Sequence, residues 1–450
     1  MRSPEMRPPT EFSARPNLPE AAPSPEAERR AERDAARRLL ENGRSLQLAR
    51  SMEANRELIL AERDAAERIR LLTDGVALAR KSVGNPGCNQ TECLVLADPH
   101  NNTKQVTSFV KRAVGERAMR YDSETDSVYV ARREFDEDGN LVTRWEIDRH
   151  SSRDSGVIES LRSREEDSEQ TRRDIAAAYD IDPEDLPLDK SEYGARNIEV
   201  GHSVKAEVAA SVIDDAVGFG CIAKTAMRGT ERSLGSAQEA VDGYPPSIQV
   251  YKEVVRQGPD HPAFRSLTRL ACMDYLLKST DRSPNNTFYD DDARKFRGID
   301  NGYSLGYSRK NADGQLVPAD PLVSVPMEML EADETWTLDD EARKSLARML
   351  RDVLDHDQYA SGQLTPEQAA KLKPEVRDGV MFKMLGDAFS LLYERLDGDG
   401  EVIPATRKIA AVEAQNFLLR AKRLAFEGRP PQLSEDEFQR TGFGALARLP

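Results

Sequence analysis

The stretch Met273–Gly306, MDYLLKSTDRSPNNTFYDDDARKFRGIDNGYSLG, decides how this chain is read. An apolar helical run ends near Leu277 and gives way to Asp281-Arg282, with Asn286 five residues after the aspartate. A hairpin with Asp290-Asp291-Asp292 at its tip follows, and Ile299-Asp300-Asn301-Gly302 comes after 12 intervening residues. Phosphoryl transfer to a hydroxyl needs a carboxylate that orients the attacking oxygen. It also needs oxygen ligands for a magnesium ion bridging nucleotide phosphates. Asp281 suits the first role, and Asn286 with Asp300 the second. The same residue types also build polar turns, and an Asp-to-Asn spacing alone does not separate the two readings.

Upstream segments supply the remaining parts in order. Ser108-Phe109-Val110-Lys111 reads as a strand carrying one lysine, followed by Gly115-Glu116. Lys205-Ala206-Glu207-Val208 opens an amphipathic helix expected over Ser203–Val217 and ended by Gly218 and Gly220. A strand lysine fixed by a helix glutamate is how kinase-like sites hold the α- and β-phosphates, so Lys111 and Glu207 are the candidates. Ser247–Tyr251 is expected as a further strand linking two lobes, with Gln249 and Val250 offering backbone hydrogen bonds to adenine. Gly84-Asn85-Pro86-Gly87 precedes the Cys93–Ala97 strand. Gly84 and Gly87 are candidates for a nucleotide loop, with an ordinary turn as the equal alternative.

Working outward, residues 1–28 are proline-rich without periodic apolar positions and are expected to be disordered. Residues 29–82 are rich in Ala, Arg, Glu and Leu, and AERDAA occurs at both 31–36 and 61–66. A helix pair is expected there, its second member running to about Arg80, as an extension packed on the main domain or a partner-binding element. Hairpins are expected at 93–111 and 127–147, a charged insertion at 149–195, and helices at 263–277, 338–354, 376–396 and 405–425. Residues 83–252 thus form a β-rich lobe and residues 253–450 a helical one. Strands early and helices late define an α+β fold.

Composition narrows the function. Lys and Arg number 64 against 79 Asp and Glu, a net charge of −15, which disfavours a nucleic-acid binder. No run approaches the roughly 20 apolar residues that span a bilayer, and the first 30 residues lack a signal-peptide core. With 4 cysteines and no CxxC pair, a cytoplasmic or host-cytosolic protein is expected. Asp397-Gly398-Asp399-Gly400 lacks the flanking acids of a calcium loop, and the five histidines show no metal spacing.

Taken together, these segments resemble the phosphatidylinositol 3-/4-kinase-related superfamily, nearest to type II phosphatidylinositol 4-kinases and their bacterial relatives. The matching residues are Phe109-Val110-Lys111 with Gly115-Glu116, Ala206–Ala210 leading to Val217-Gly218-Phe219-Gly220, Ser247-Ile248-Gln249, Asp281 to Asn286, and Ile299 to Gly302. Arg112 stands where that family has Pro, Ser283 where many relatives have His, and a palmitoylated cysteine cluster is missing from the sequence. The resemblance implies a two-lobed kinase-like fold and ATP and Mg2+ as cofactors. The acceptor it implies is a phosphoinositide lipid, or in bacterial and effector-type members a protein. A non-catalytic pseudokinase that recruits a partner through residues 29–82 is the competing class.

Overall fold

The computed structural model describes residues 63–83, 91–112, 119–135, 141–149, 151–153, 172–186, 202–229, 234–331, 335–395, 401–435 and 437–442, with isolated positions between 155 and 170. The expected tail, the first helix of the pair, Gly84, Gly87 and Asp397–Gly400 lie outside them. The molecule is mixed α+β, with its main sheet in the N-terminal half and most of its helices in the C-terminal half.

Helix α1 (Arg63–Asp74) leads into a five-stranded sheet of β1 (Val76–Val83), β2 (Thr91–Asp98), β3 (Asn101–Arg112), β7 (Thr225–Gly229) and β8 (Leu234–Glu239), ordered β1-β2-β3-β8-β7. Every pairing in it is antiparallel. The expected β2–β3 hairpin turns at Asp98, whose carboxylate accepts the His100 N–H at 2.8 Å. The helix expected to reach Arg80 stops instead at Asp74, and residues 76–83 are the edge strand. Gly75 makes the break: its N–H bonds Leu71 O at 2.9 Å, and a Cβ there would lie 2.3 Å from that oxygen. Arg228 closes the helix end by donating to the carbonyls of Leu72, Thr73 and Gly75. Ile69 and Leu72 of α1 then pack on Leu94, Leu96, Val110, Ala226 and Ala237 of the sheet, each large side chain contributing roughly 1.5–3 kcal/mol.

A second sheet of three strands, β4 (Met119–Asp122), β5 (Ser127–Phe135) and β6 (Leu141–Ile147), is inserted after β3. Its β5–β6 hairpin is the second one expected from sequence. Helix α2 (His202–Val217) follows the charged insertion. It is buried all round, with only Lys205 and Asp215 outside the buried set, rather than amphipathic as expected. The main sheet covers one side, through β7 and β8, and helices cover the other. Gly218, at φ +69°, ends it where a Cβ would meet Ser345 Oγ at 2.5 Å.

The C-terminal half is built from α3 (Ile248–Gln257), α4 (Phe264–Leu277), hairpin β9 (Thr287–Asp290) and β10 (Lys295–Gly298), hairpin β11 (Ser308–Lys310) and β12 (Leu316–Pro318), and helices α5 (Val325–Leu330), α6 (Asp340–Ala360), α7 (Pro366–Lys371), α8 (Pro374–Arg377), α9 (Val380–Tyr393) and α10 (Pro404–Glu427). The expected strand at 247–251 is the first turn of α3. Ile248, Tyr251 and Val255 recur at helical spacing and pack inward, so the apolar period of the longer segment overrides the β-prone run. The helix expected over 376–396 is split into α8 and α9, because Gly379 at φ +69° lets His356 approach where a Cβ would sit 2.4 Å from the ring. Arg269 of α4 grips Asp339, the N-cap of α6, in a fork at 2.7 and 2.8 Å.

Candidate active site

Residues on β3 alternate between faces. Val110 packs towards α1, so Lys111 emerges on the opposite face, under α2. Its Nζ donates to Glu207 Oε1 at 2.5 Å and to Asp300 Oδ1 at 2.6 Å. Ser236, opposite Lys111 in the β3–β8 register, donates its Oγ to Glu207 Oε2 at 2.8 Å. The Glu207 side chain is 1% exposed, that of Lys111 13% and that of Asp300 41%, so the cluster opens to solvent on the Asp300 side.

Charge follows from that gradient. Burial alone would lower Lys111, but the charges of Glu207 and Asp300 outweigh it and hold the amine above the usual lysine value. Burial pushes the Glu207 carboxyl up against the pull of Lys111. Burial acts on Asp300 in the same sense, but the Lys111 charge and hydrogen bond prevail and hold it below the usual carboxylate range. At neutral pH the site therefore presents a fixed cation and an ionised, half-exposed carboxylate.

The segment between α4 and β9 carries Asp281 and Asn286. Asn286 Nδ2 donates to the Asp281 backbone O at 2.7 Å and to its Oδ2 at 3.1 Å. Both partners are acceptors, which leaves the Asn286 side-chain oxygen as its acceptor end. The Ile299 N–H bonds Asn286 O at 3.0 Å, and the Thr280 N–H bonds Tyr303 O at 3.1 Å, so this segment lies against the residues flanking Asp300. Asp300 adopts φ +52°, in the left-handed region that Asp tolerates better than most residues. Two residues on, a Cβ at Gly302 would lie 2.3 Å from Ser203 Oγ, which brings this loop against the first turn of α2.

The structure thus unites Lys111, Glu207 and Asp300 directly, and Asp281 with Asn286 beside them. Gln249 and Val250 stand on helix α3 and not on the strand expected there. Gln249 is exposed on α3, while the Val250 side chain packs on the core and its N–H bonds Ser247 O at 3.1 Å. Residues 240–247 make the crossing from β8 to α3 instead. Tyr244 and Tyr289 exchange backbone bonds there at 3.1 and 2.8 Å, and a Cβ at Gly243 would meet Tyr289 O at 2.3 Å. One carboxylate and one amide oxygen are donors of the kind magnesium takes together with substrate phosphates. Among the described residues no group of three or more His, Cys, Asp or Glu forms a protein-only metal cage. Sequence reading missed Ser236, because Leu234–Glu239 (LGSAQE) lacks the β-branched residues that mark a strand.

Cys221 and Cys272 are buried free thiols, and burial pushes both far above the usual thiol range. Among the described residues no helix is long and apolar enough to cross a membrane. No family model matches the chain, and no curated protein matches it.

Proposed function

We propose that this chain is an ATP- and Mg2+-dependent phosphotransferase with a two-lobed kinase-like fold, resembling type II phosphatidylinositol 4-kinases. One observation carries this proposal. Glu207 and Asp300 lie 96 and 189 residues from Lys111 in sequence, yet both carboxylates bond its Nζ. That is the juxtaposition needed to hold nucleotide phosphates next to a metal ligand. The strand order β1-β2-β3-β8-β7, with α2 between the lysine strand and the last two strands, supports it as well.

In this mechanism Lys111 contacts the α- and β-phosphates and Glu207 orients Lys111, while Asn286 and Asp300 would hold a magnesium ion, which would supply charge neutralisation at the phosphates. Asp281 orients the acceptor hydroxyl and takes its proton. The hydroxyl oxygen bonds the γ-phosphorus as the bond to the bridging β,γ-oxygen breaks, and ADP leaves. The acceptor is a phosphoinositide or a protein hydroxyl, and the test carries both.

Radiolabelled ATP is supplied with Mg2+ and either phosphatidylinositol vesicles or candidate proteins. The parent labels one acceptor class, and Asp300→Ala loses at least about 100-fold in rate while its circular dichroism is unchanged. Turnover by Asp300→Ala close to that of the parent would sink the assignment. A parent that labels neither class while binding ATP would favour the pseudokinase.

A further inference from the structure

Arg282 and Asp274 form an ion pair with side chains 0% and 1% exposed. Such a pair pays a large desolvation penalty, and apolar residues of similar volume often serve stability as well or better. What this pair does instead is visible in its contacts. Arg282 Nε donates to Asp274 Oδ1 at 2.9 Å. Its Nη1 spans the backbone oxygens of Asn286 and Ile299, both at 2.6 Å, and its Nη2 donates to Asn301 Oδ1. The other Asp274 oxygen accepts from Ser324 Oγ at 2.6 Å. Backbone bonds from Arg282 N to Val323 O and from Val325 N to Arg282 O, both at 3.0 Å, fix the base of the side chain. Gly298 makes room for the guanidinium, since a Cβ there would lie 2.9 Å from both Cζ and Nη2.

One guanidinium therefore holds Asn286 itself and both neighbours of Asp300, the two candidate metal donors. We propose that Arg282, held by Asp274, is the positioning residue that sets the spacing of Asn286 and Asp300, and with it the site's grip on the cation that accompanies ATP. The inference rests on the phosphotransferase reading. A lysine keeps the charge but has no planar fork, so it cannot span the Asn286 and Ile299 carbonyls and Asn301 together.

The test is calorimetric titration of the full chain with ATP, with and without Mg2+, alongside amide hydrogen exchange of the ligand-free protein. Arg282→Lys is expected to lose about tenfold or more of the magnesium-dependent gain in ATP affinity. Magnesium-free affinity, which Lys111 supports, should stay within about twofold, and the Ile299 amide should exchange faster than in the parent. Should Arg282→Lys fail to fold, Gly298→Ala displaces the guanidinium without replacing it, and a smaller loss of the same selectivity is expected. An undiminished magnesium-dependent gain, or equal losses with and without the ion, overturns the inference alone. A parent that binds no ATP overturns the phosphotransferase reading and this inference with it.

Discussion

At the scale of single residues, the fate of Glu207 depends on Lys111. The carboxylate is 1% exposed, and Ser236 also donates to it. Lys111→Met keeps the length and removes the cation, which leaves an uncompensated buried charge. A loss of about 3 kcal/mol at neutral pH is expected, near the lower end for breaking a buried pair. The pH dependence has a definite sign. With Lys111 gone, burial raises the folded Glu207 pKa further above its unfolded value, so the folded state binds the extra proton. The variant's stability relative to the parent is therefore highest below the usual glutamate value and is lost as pH rises through the raised one. Urea unfolding at about pH 5.5 and pH 8 measures this, and Lys111→Met with Glu207→Gln should remove most of the difference. A Lys111→Met penalty that is independent of pH would show that Glu207 is not the group left stranded.

At the scale of elements, α2 and the Asp300 loop are locked by Gly302 against Ser203. Gly302→Ala drives a Cβ into the Ser203 hydroxyl and is expected to cost about 1–3 kcal/mol, the range for overpacking. Ser203→Ala removes the nearest atom and should make Gly302→Ala cheaper in the double variant, as thermal unfolding would show. Gly302 was visible in sequence as part of Ile-Asp-Asn-Gly, but the partner that requires it was not, because contacts across about 100 residues leave no local signal. The same division holds elsewhere. Lys111, Glu207, Asp281, Asn286 and Asp300 were legible because each stands in a short segment with its own strand, helix or turn chemistry. The strand at 76–83 was not, since Ala, Leu, Arg and Lys are good helix formers and only pairing with β2 makes it extended. Gln249 and Val250 were misplaced for the converse reason: β-prone Ile248, Val250 and Tyr251 suggest a strand until the helical period of the residues that follow is included.

At the scale of the whole molecule, the charged insertion is bound to the C-terminal helices through a buried network. Tyr179, from the helix at 172–179, donates to Glu413 Oε1 on α10 at 2.5 Å and accepts from the Ser308 N–H at 2.7 Å. Lys278, at the end of α4, donates to Glu413 Oε2 at 2.9 Å, to Ser308 Oγ at 3.2 Å and to Gly306 O. The pair is 1% and 0% exposed, so it joins the insertion, the segment after Asp300 and two helices without help from solvent. Lys278→Met alone is expected to cost about 3–5 kcal/mol, because Glu413 loses the ammonium that bonds it. Glu413→Gln keeps an acceptor for Tyr179, and the double variant should cost less than the two single changes together by about 2 kcal/mol. Burial brings Lys278 down from 10.5 to about 8, with Glu413 opposing, so the folded state gives up this proton more readily than the unfolded chain. The sign is the reverse of the Glu207 case in the Lys111 variant. Between about pH 8 and 10.5 the parent should gain stability as pH rises, by a component that Lys278→Met lacks. Denaturant unfolding of both proteins across that window decides it, and parallel pH profiles would show that Lys278 is not the titrating member of the network.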